Sequence, residues 1–346
     1  MIDNKVKSKL KNIFVLVLTA IIAIAAAFAF YCFVETIKCE KFRKDYLSVN
    51  KTSVEKLFNI DSKLHYDMQV DTKFENLCLG NNNVSSLSYG NYCEKDGLLC
   101  KSTINTTLVS DNKEIIINEN PSSYINIVND CIYYRNDADR KLYKYDIRSE
   151  KTECVVELQC SEVIVSVKGI SYIDFNNSQL HYKSFDGKEN IISKDMKFEN
   201  FALIGNSYLC LTKSKTLGWL TNGKFNVIEE NVDRFLFNGN LLIQKNNNIF
   251  IYSNKKYKKT RVQNVNGVLI GLNQDMFYVF ENSKIVTYNI KNNKTASTFI
   301  ELNENEIPKS VFFDDKKIVL FIYDKSLGMY ELKKYNYSVL NNYYNQ

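Results

Sequence analysis

From about residue 84 the chain consists of short apolar runs separated by Asn, Asp, Lys, Ser and Gly. Runs of this length, rich in β-branched and aromatic side chains, predict strands, and the polar punctuation between them predicts turns. Beyond residue 70 no stretch keeps a long helical period. The runs also recur. One unit reads CIYYRNDADRKLYKYDIRSEKTECVV over 131–156, with counterparts at 169–192, 207–228, 240–262, 275–300 and 317–340 and a looser copy at 92–117. Each unit is an apolar strand, a polar turn, a second strand of the form Leu/Ile-x-x-Tyr, another turn and a third short strand. The anchors of the middle strand are Leu142, Leu180, Leu217, Ile249, Ile285 and Leu327, spaced 32 to 42 residues apart. One further apolar run precedes each unit, as at 124–128, 163–167, 201–204, 235–237 and 268–270.

Four strands in about 37 residues, repeated about seven times, is the arithmetic of a propeller. A four-stranded sheet exposes two faces that neighbours must cover, and closing the ring removes the end faces. A sandwich needs far fewer strands, and a solenoid needs shorter, stricter repeats. The expected fold is therefore all-β: a six- to seven-bladed β-propeller of four-stranded blades occupying 71–346. Residues 71–83 are expected to lend a strand to the last blade and so close the ring.

A different pattern precedes the repeats. Residues 13–34 run 22 positions without a charge. At 1.5 Å per residue such a helix reaches about 33 Å, enough for a hydrocarbon core of about 30 Å. Residues 1–12 carry four Lys and one Asp, whereas the trailing flank mixes signs. The positive-inside rule places 1–12 in the cytoplasm and the rest outside, as a single-pass cell-membrane protein. A cleaved signal peptide, with Ala27-Phe28-Ala29 as the cleavage site, is the rival reading, but the apolar run continues well past that site. Residues 35–70 read as a stalk.

Net charge is +6, yet residues 1–45 already hold eight Lys or Arg against four Asp or Glu. The remainder is almost neutral and has no concentrated basic face, which argues against nucleic acid as a partner. Nine Cys are present. Outside the cell disulfides are permitted. A two-residue hairpin turn at Asp96-Gly97 would set Cys93 opposite Cys100, so a cross-strand bridge is a candidate, with two half-buried thiols as the alternative. The chain has only His65, in the stalk, and His181, in a repeat strand, which leaves no zinc-type cluster.

No GxGxxG, GxxxxGK[ST], GxSxG or HExxH occurs, so no catalytic residue, cofactor or metal site is assigned. Asp137, Asp174, Glu281 and Asp324 follow the first strand of four units at matching turns. They form a candidate ligand ring at one channel mouth, for a cation or a sugar. Lys213 and Lys245 stand at the matching positions of two other units, and solvated turn residues are the plain alternative. The Asn runs at 81–83 and 246–248 read as loops.

Residues 169–192 resemble one blade of the propellers of low-density-lipoprotein-receptor type. Tyr172, Asp174, Leu180, Asp186 and Gly187 match that blade, and Asn222-Gly223 keeps its turn in the next. The other units share only the hydrophobic pattern, and the resemblance spans 84–340 at most. Bacterial propellers of this kind recur in membrane-anchored proteins of low-GC Gram-positive bacteria, usually without an assigned function. The resemblance implies fold and topology but no chemistry. The expected task is that of a surface-tethered binding or scaffolding module without catalysis, presenting a face to an envelope protein or glycan. A membrane-tethered sensor or structural envelope component is the first alternative. An extracytoplasmic carbohydrate-active enzyme is the second, and needs two carboxylates at the channel mouth.

Overall fold

Six of the seven repeats fold back on themselves three times, because their polar turns place left-handed residues between strands. Asp96-Gly97, Asn222-Gly223, Asn246-Asn247 and Asn282-Ser283 all have positive φ, as tight hairpin turns demand. The computed structural model describes residues 79–110, 113–205, 207–252, 259–262, 267–273, 276–290, 294–313 and 317–336. These residues form seven antiparallel sheets, each running through its strands in sequence order. Six sheets have four strands, and the seventh has three among the described residues. The blades begin with the inner strands Tyr92–Lys95, Ser122–Val128, Cys160–Ser166, Phe198–Ile204, Arg234–Phe237, Val268–Asn273 and Glu306–Phe313, and are numbered 1 to 7 in that order.

The core lies between blades, where neighbouring faces interlock. Tyr124, Leu142 and Val156 of blade 2 pack on Val163, Val165 and Tyr172 of blade 3. Ile164, Ile173 and Leu180 of blade 3 meet Phe198, Phe201 and Tyr208 of blade 4. Trp219 of blade 4 meets Phe237 of blade 5 edge to face at 6.3 Å. Five of the six sequence anchors, Leu142, Leu180, Leu217, Ile249 and Ile285, are fully buried.

The sixth corrects the sequence reading, because Leu327 is 58% exposed in a turn and the strand begins only at Met329. Asp324 Oδ1 accepts the N–H groups of Ser326 and Leu327, and Gly328 completes the turn at φ 66°. That side-chain-capped turn delays the strand by two residues.

A second correction concerns ring closure. Residues 79–83 do not join the last blade, but enter the ring beside blades 2 and 3. Leu79 bridges Ser166, Gly80 N–H donates to Val165 O, and Gly80 O accepts from Ile127 N–H. These partners lie at the ends of inner strands, as does Lys95, whose ammonium donates to Leu79 O at 2.8 Å. The chain then makes one helical turn, α1 (Asn83–Ser86), against the inner strands of blades 2, 3, 4, 5 and 7. It leaves at the opposite end, where Tyr89 O and Gly90 O accept from Tyr124 N–H and Ile125 N–H. Residues 79–91 thus thread the central channel and fill it.

This threading explains a third correction, since 81–83 is a buried clamp. An inner strand turns one edge of backbone N–H and C=O groups toward the channel, and each group needs a partner. A carboxamide carries donors on its nitrogen and an acceptor on its oxygen, so it can pair with a strand edge as a peptide unit does, with one N–H to spare. Asn83 uses both on Leu203, donating to its C=O and accepting from its N–H, each at 3.0 Å. Asn81 Nδ2 donates to Tyr92 O and Ile125 O, both at 2.9 Å. Asn82 Oδ1 accepts from Ser85 N–H at 2.7 Å and caps the helical turn. Gln244 repeats the device between blades 5 and 6, with Gly267 O and Leu269 N–H.

Among the described residues no helix is long and apolar enough to cross a membrane. Residues 1–12, 13–34 and 35–70, read above as tail, anchor and stalk, lie outside the described residues, as do 71–78.

Candidate functional site

The inner strands all start at the end of the ring where the threading segment emerges, and their first residues surround its exit. Tyr124 sits there in a bulge of blade 2, at φ 54°. Gly90 passes so close that a Cβ on it would lie 3.0 Å from Tyr124 Cα. Held this way, the buried Tyr124 donates its hydroxyl to Glu162 Oε1 of blade 3 at 3.1 Å. Arg135 lies over the Tyr124 ring, 4.8 Å from its centroid. Its guanidinium donates to Asp137 Oδ1 at 2.7 and 3.2 Å and to Ser161 O at 2.7 Å. Ser123 Oγ donates to the other oxygen of Asp137.

Glu162 and Arg234 complete the mouth. Glu162 is half-buried, and loss of solvation raises its carboxyl to about 8, against lowering by the Tyr124 hydroxyl, Arg135 and Arg234. Burial pushes the Arg234 guanidinium down, while Tyr89 and Glu162 act in the other direction. The Arg234 side chain makes no hydrogen bond or ion pair among the described residues, although its backbone is paired in register with Gln244. Tyr89 stands over the exit, 53% exposed. Tyr330 of blade 7 lies within electrostatic reach of both Tyr89 and Asp137. Glu199, at the start of blade 4, is neutralised by Lys215 at 2.7 Å.

Of the four carboxylates expected to form a ring, Asp137 alone takes part in this mouth, through Arg135. The others bond within their own blades. Asp174 Oδ1 accepts from Asn176 N–H at 2.9 Å. Asp324 caps its turn, and the Ser326 hydroxyl bond holds its carboxyl below the ordinary range. Glu281 accepts from the Tyr288 hydroxyl at 3.1 Å. Lys245, one of the two lysines interrupting the pattern, is paired with Glu229 of blade 4 at 2.9 Å. Among the described residues no group of three His, Cys, Asp or Glu side chains could hold a metal ion.

Cys93 and Cys100 face each other in register across the Asp96-Gly97 turn. Both are free thiols. Cys93 Sγ is directed at the threading segment and donates to Gly80 O at 3.1 Å. Burial pushes Cys93 up to about 12 and Cys100 well above its ordinary value, so neither is a ready nucleophile.

The sequence reading missed Tyr89, Tyr124, Arg135, Glu162 and Arg234. Its available signal was a charge inside an apolar inner strand: Glu162 in CSEVIVS, Glu199 in FENFALI and Arg234 in RFLF.

No protein-family model matches the chain, and no curated protein matches it. Solved structures do. A streptogramin B lyase superposes with a TM-score of 0.53 at 12% identity, over 74% of this chain and 97% of that one. The fold is a seven-bladed β-propeller. A catalytically inactive virginiamycin B lyase from Staphylococcus aureus, crystallised with quinupristin, gives a TM-score of 0.49 at 13% identity, over 69% of this propeller chain and 92% of its own. Kluyveromyces lactis Hsv2 gives 0.49 at 10% identity, over 75% and 97% respectively. At these identities the likeness concerns the fold and carries no activity across.

Proposed function

We propose that this chain is a membrane-tethered binding propeller without catalysis of its own, turning its inner-strand-start face away from the bilayer toward an envelope protein or glycan. One observation carries the reading. That face bears a run of exposed large apolar side chains on neighbouring blades: Leu327 and Tyr330 on blade 7, Ile104 on blade 1, Leu158 and Phe175 at blades 2 and 3, and Tyr89 at the centre. Scattered exposed apolar residues are ordinary, but several on adjacent turns of one face form a patch suited to association. The path of the chain adds direction. Residue 79 enters the ring at the opposite face, so a tether at 13–34 would attach there and leave the apolar face free.

The test is cross-linking of the full-length chain in the membranes of its own cells, beside the double variant Ile104→Asp/Leu327→Asp. The wild type should give a discrete envelope adduct that the variant loses, with both proteins melting alike. An identical adduct pattern in both would refute the reading.

A further inference from the structure

The geometry points to the channel mouth as a binding site for an acidic sugar, its carboxylate on Arg234 and its ring against Tyr89 and Tyr330. This deepens the proposed reading of the same face and rests on it.

The first support is the unpaired guanidinium. A half-buried cation with no hydrogen-bonded partner is costly unless a ligand supplies the countercharge. Arg presents a planar fork that matches a carboxylate with two parallel bonds. The neighbouring charges are already matched: Arg135 is paired with Asp137, and Lys215 with Glu199. Glu162 is surrounded by Tyr124 and Arg135 of blade 2, Glu199 of blade 4 and Arg234 of blade 5, and it stays protonated at neutral pH. One positive charge is left over, which suits a monoanion better than a phosphate dianion.

The second support is the lining. Tyr89 and Tyr330 are both exposed and carry hydroxyls; Tyr330 stacks one ring face on Phe321 at 4.9 Å, and the mouth adds the Glu162 carboxyl. A polyhydroxylated ring with one carboxylate can meet aromatic faces and several hydrogen-bonding groups at once. A peptide C terminus shares the carboxylate but lacks the several hydroxyls of a sugar ring that would meet the tyrosine hydroxyls and the Glu162 carboxyl together.

Titration calorimetry of the full-length chain in detergent, with glucuronate as the probe, tests the assignment. Glucose, inorganic phosphate and a tripeptide with a free C terminus serve as comparison arms. Glucuronate should bind, glucose and phosphate should not, and Arg234→Gln should weaken glucuronate at least about tenfold, or 1.4 kcal/mol. Between about pH 6 and pH 9 the wild type should lose affinity as Glu162 ionises and competes for Arg234, and Glu162→Gln should remove that dependence. Unchanged glucuronate binding by Arg234→Gln, equal binding of glucose, or binding of the tripeptide alone would each overturn the assignment. Because Ile104→Asp/Leu327→Asp leaves the mouth intact, failure here is distinguishable from failure of the apolar patch.

Discussion

Replacing Asn83 by Ala isolates the clamp that holds the threading segment to the ring. The variant removes both hydrogen bonds to Leu203 at once, leaving its N–H and C=O facing a filled channel. Asn83 is 1% exposed and Leu203 is also buried, so water does not readily replace the amide. Two buried backbone groups left unpaired cost about 2–4 kcal/mol together. For a domain of this size that is a fall of about 5–10 °C in melting midpoint. Trp219 is the sole tryptophan and is fully buried, so its emission reports loss of the core at blades 4 and 5. The assay is thermal unfolding of the full-length chain in detergent, followed by Trp219 fluorescence. Asn82→Ala is the internal comparison. It removes only the cap on Ser85 and should cost about 1 kcal/mol. A midpoint for Asn83→Ala within about 1 °C of wild type, or a larger drop for Asn82→Ala, would refute the clamp.

Three further outcomes are expected. The fold favours protonated Glu162, so wild-type stability should fall as pH rises from the ordinary carboxylate range through about 8, and Glu162→Gln should flatten that slope. Melting curves across the window check this, and equal slopes would contradict it. At Gly218 a Cβ would meet Asn226 O at 2.5 Å and the Phe225 ring at 2.6 Å, so Gly218→Ala should lower stability by about 1–3 kcal/mol in urea titration. Cys93, Cys100, Cys160 and Cys210 are buried, so a thiol reagent at neutral pH should leave them unmodified in the native chain and label them on unfolding, as peptide mapping can show.

Most of the blade architecture was legible in the sequence because a four-stranded antiparallel blade is a local object. Its turns, its anchors at Leu142 to Ile285 and the register of Cys93 with Cys100 follow from residues within about forty positions of each other. The phase of blade 7 was not, since the spacing Leu327-x-x-Tyr330 imitates a strand anchor inside a turn capped by Asp324. The threading segment was illegible for a different reason. An Asn run reads as solvated loop unless unpaired strand edges surround it, and those edges exist only once the ring has closed. The mouth shares that dependence. Glu162 and Arg234 are visible singly as charges in apolar strands, yet nothing local shows that closure brings them together around Tyr89.

The path through the channel also decides how the ring would carry a load. A pull on residue 79 does not peel blade 1 from the ring, because blade 1 begins only after the chain has crossed the channel. The force falls first on Leu79, Gly80, Asn81 and Asn83, whose bonds reach blades 1 to 4 together. Tension is shared among several blades before any one of them is strained. If the chain is tethered through 13–34, the threaded segment serves as its strain relief, and a tug from the membrane reaches the binding face last.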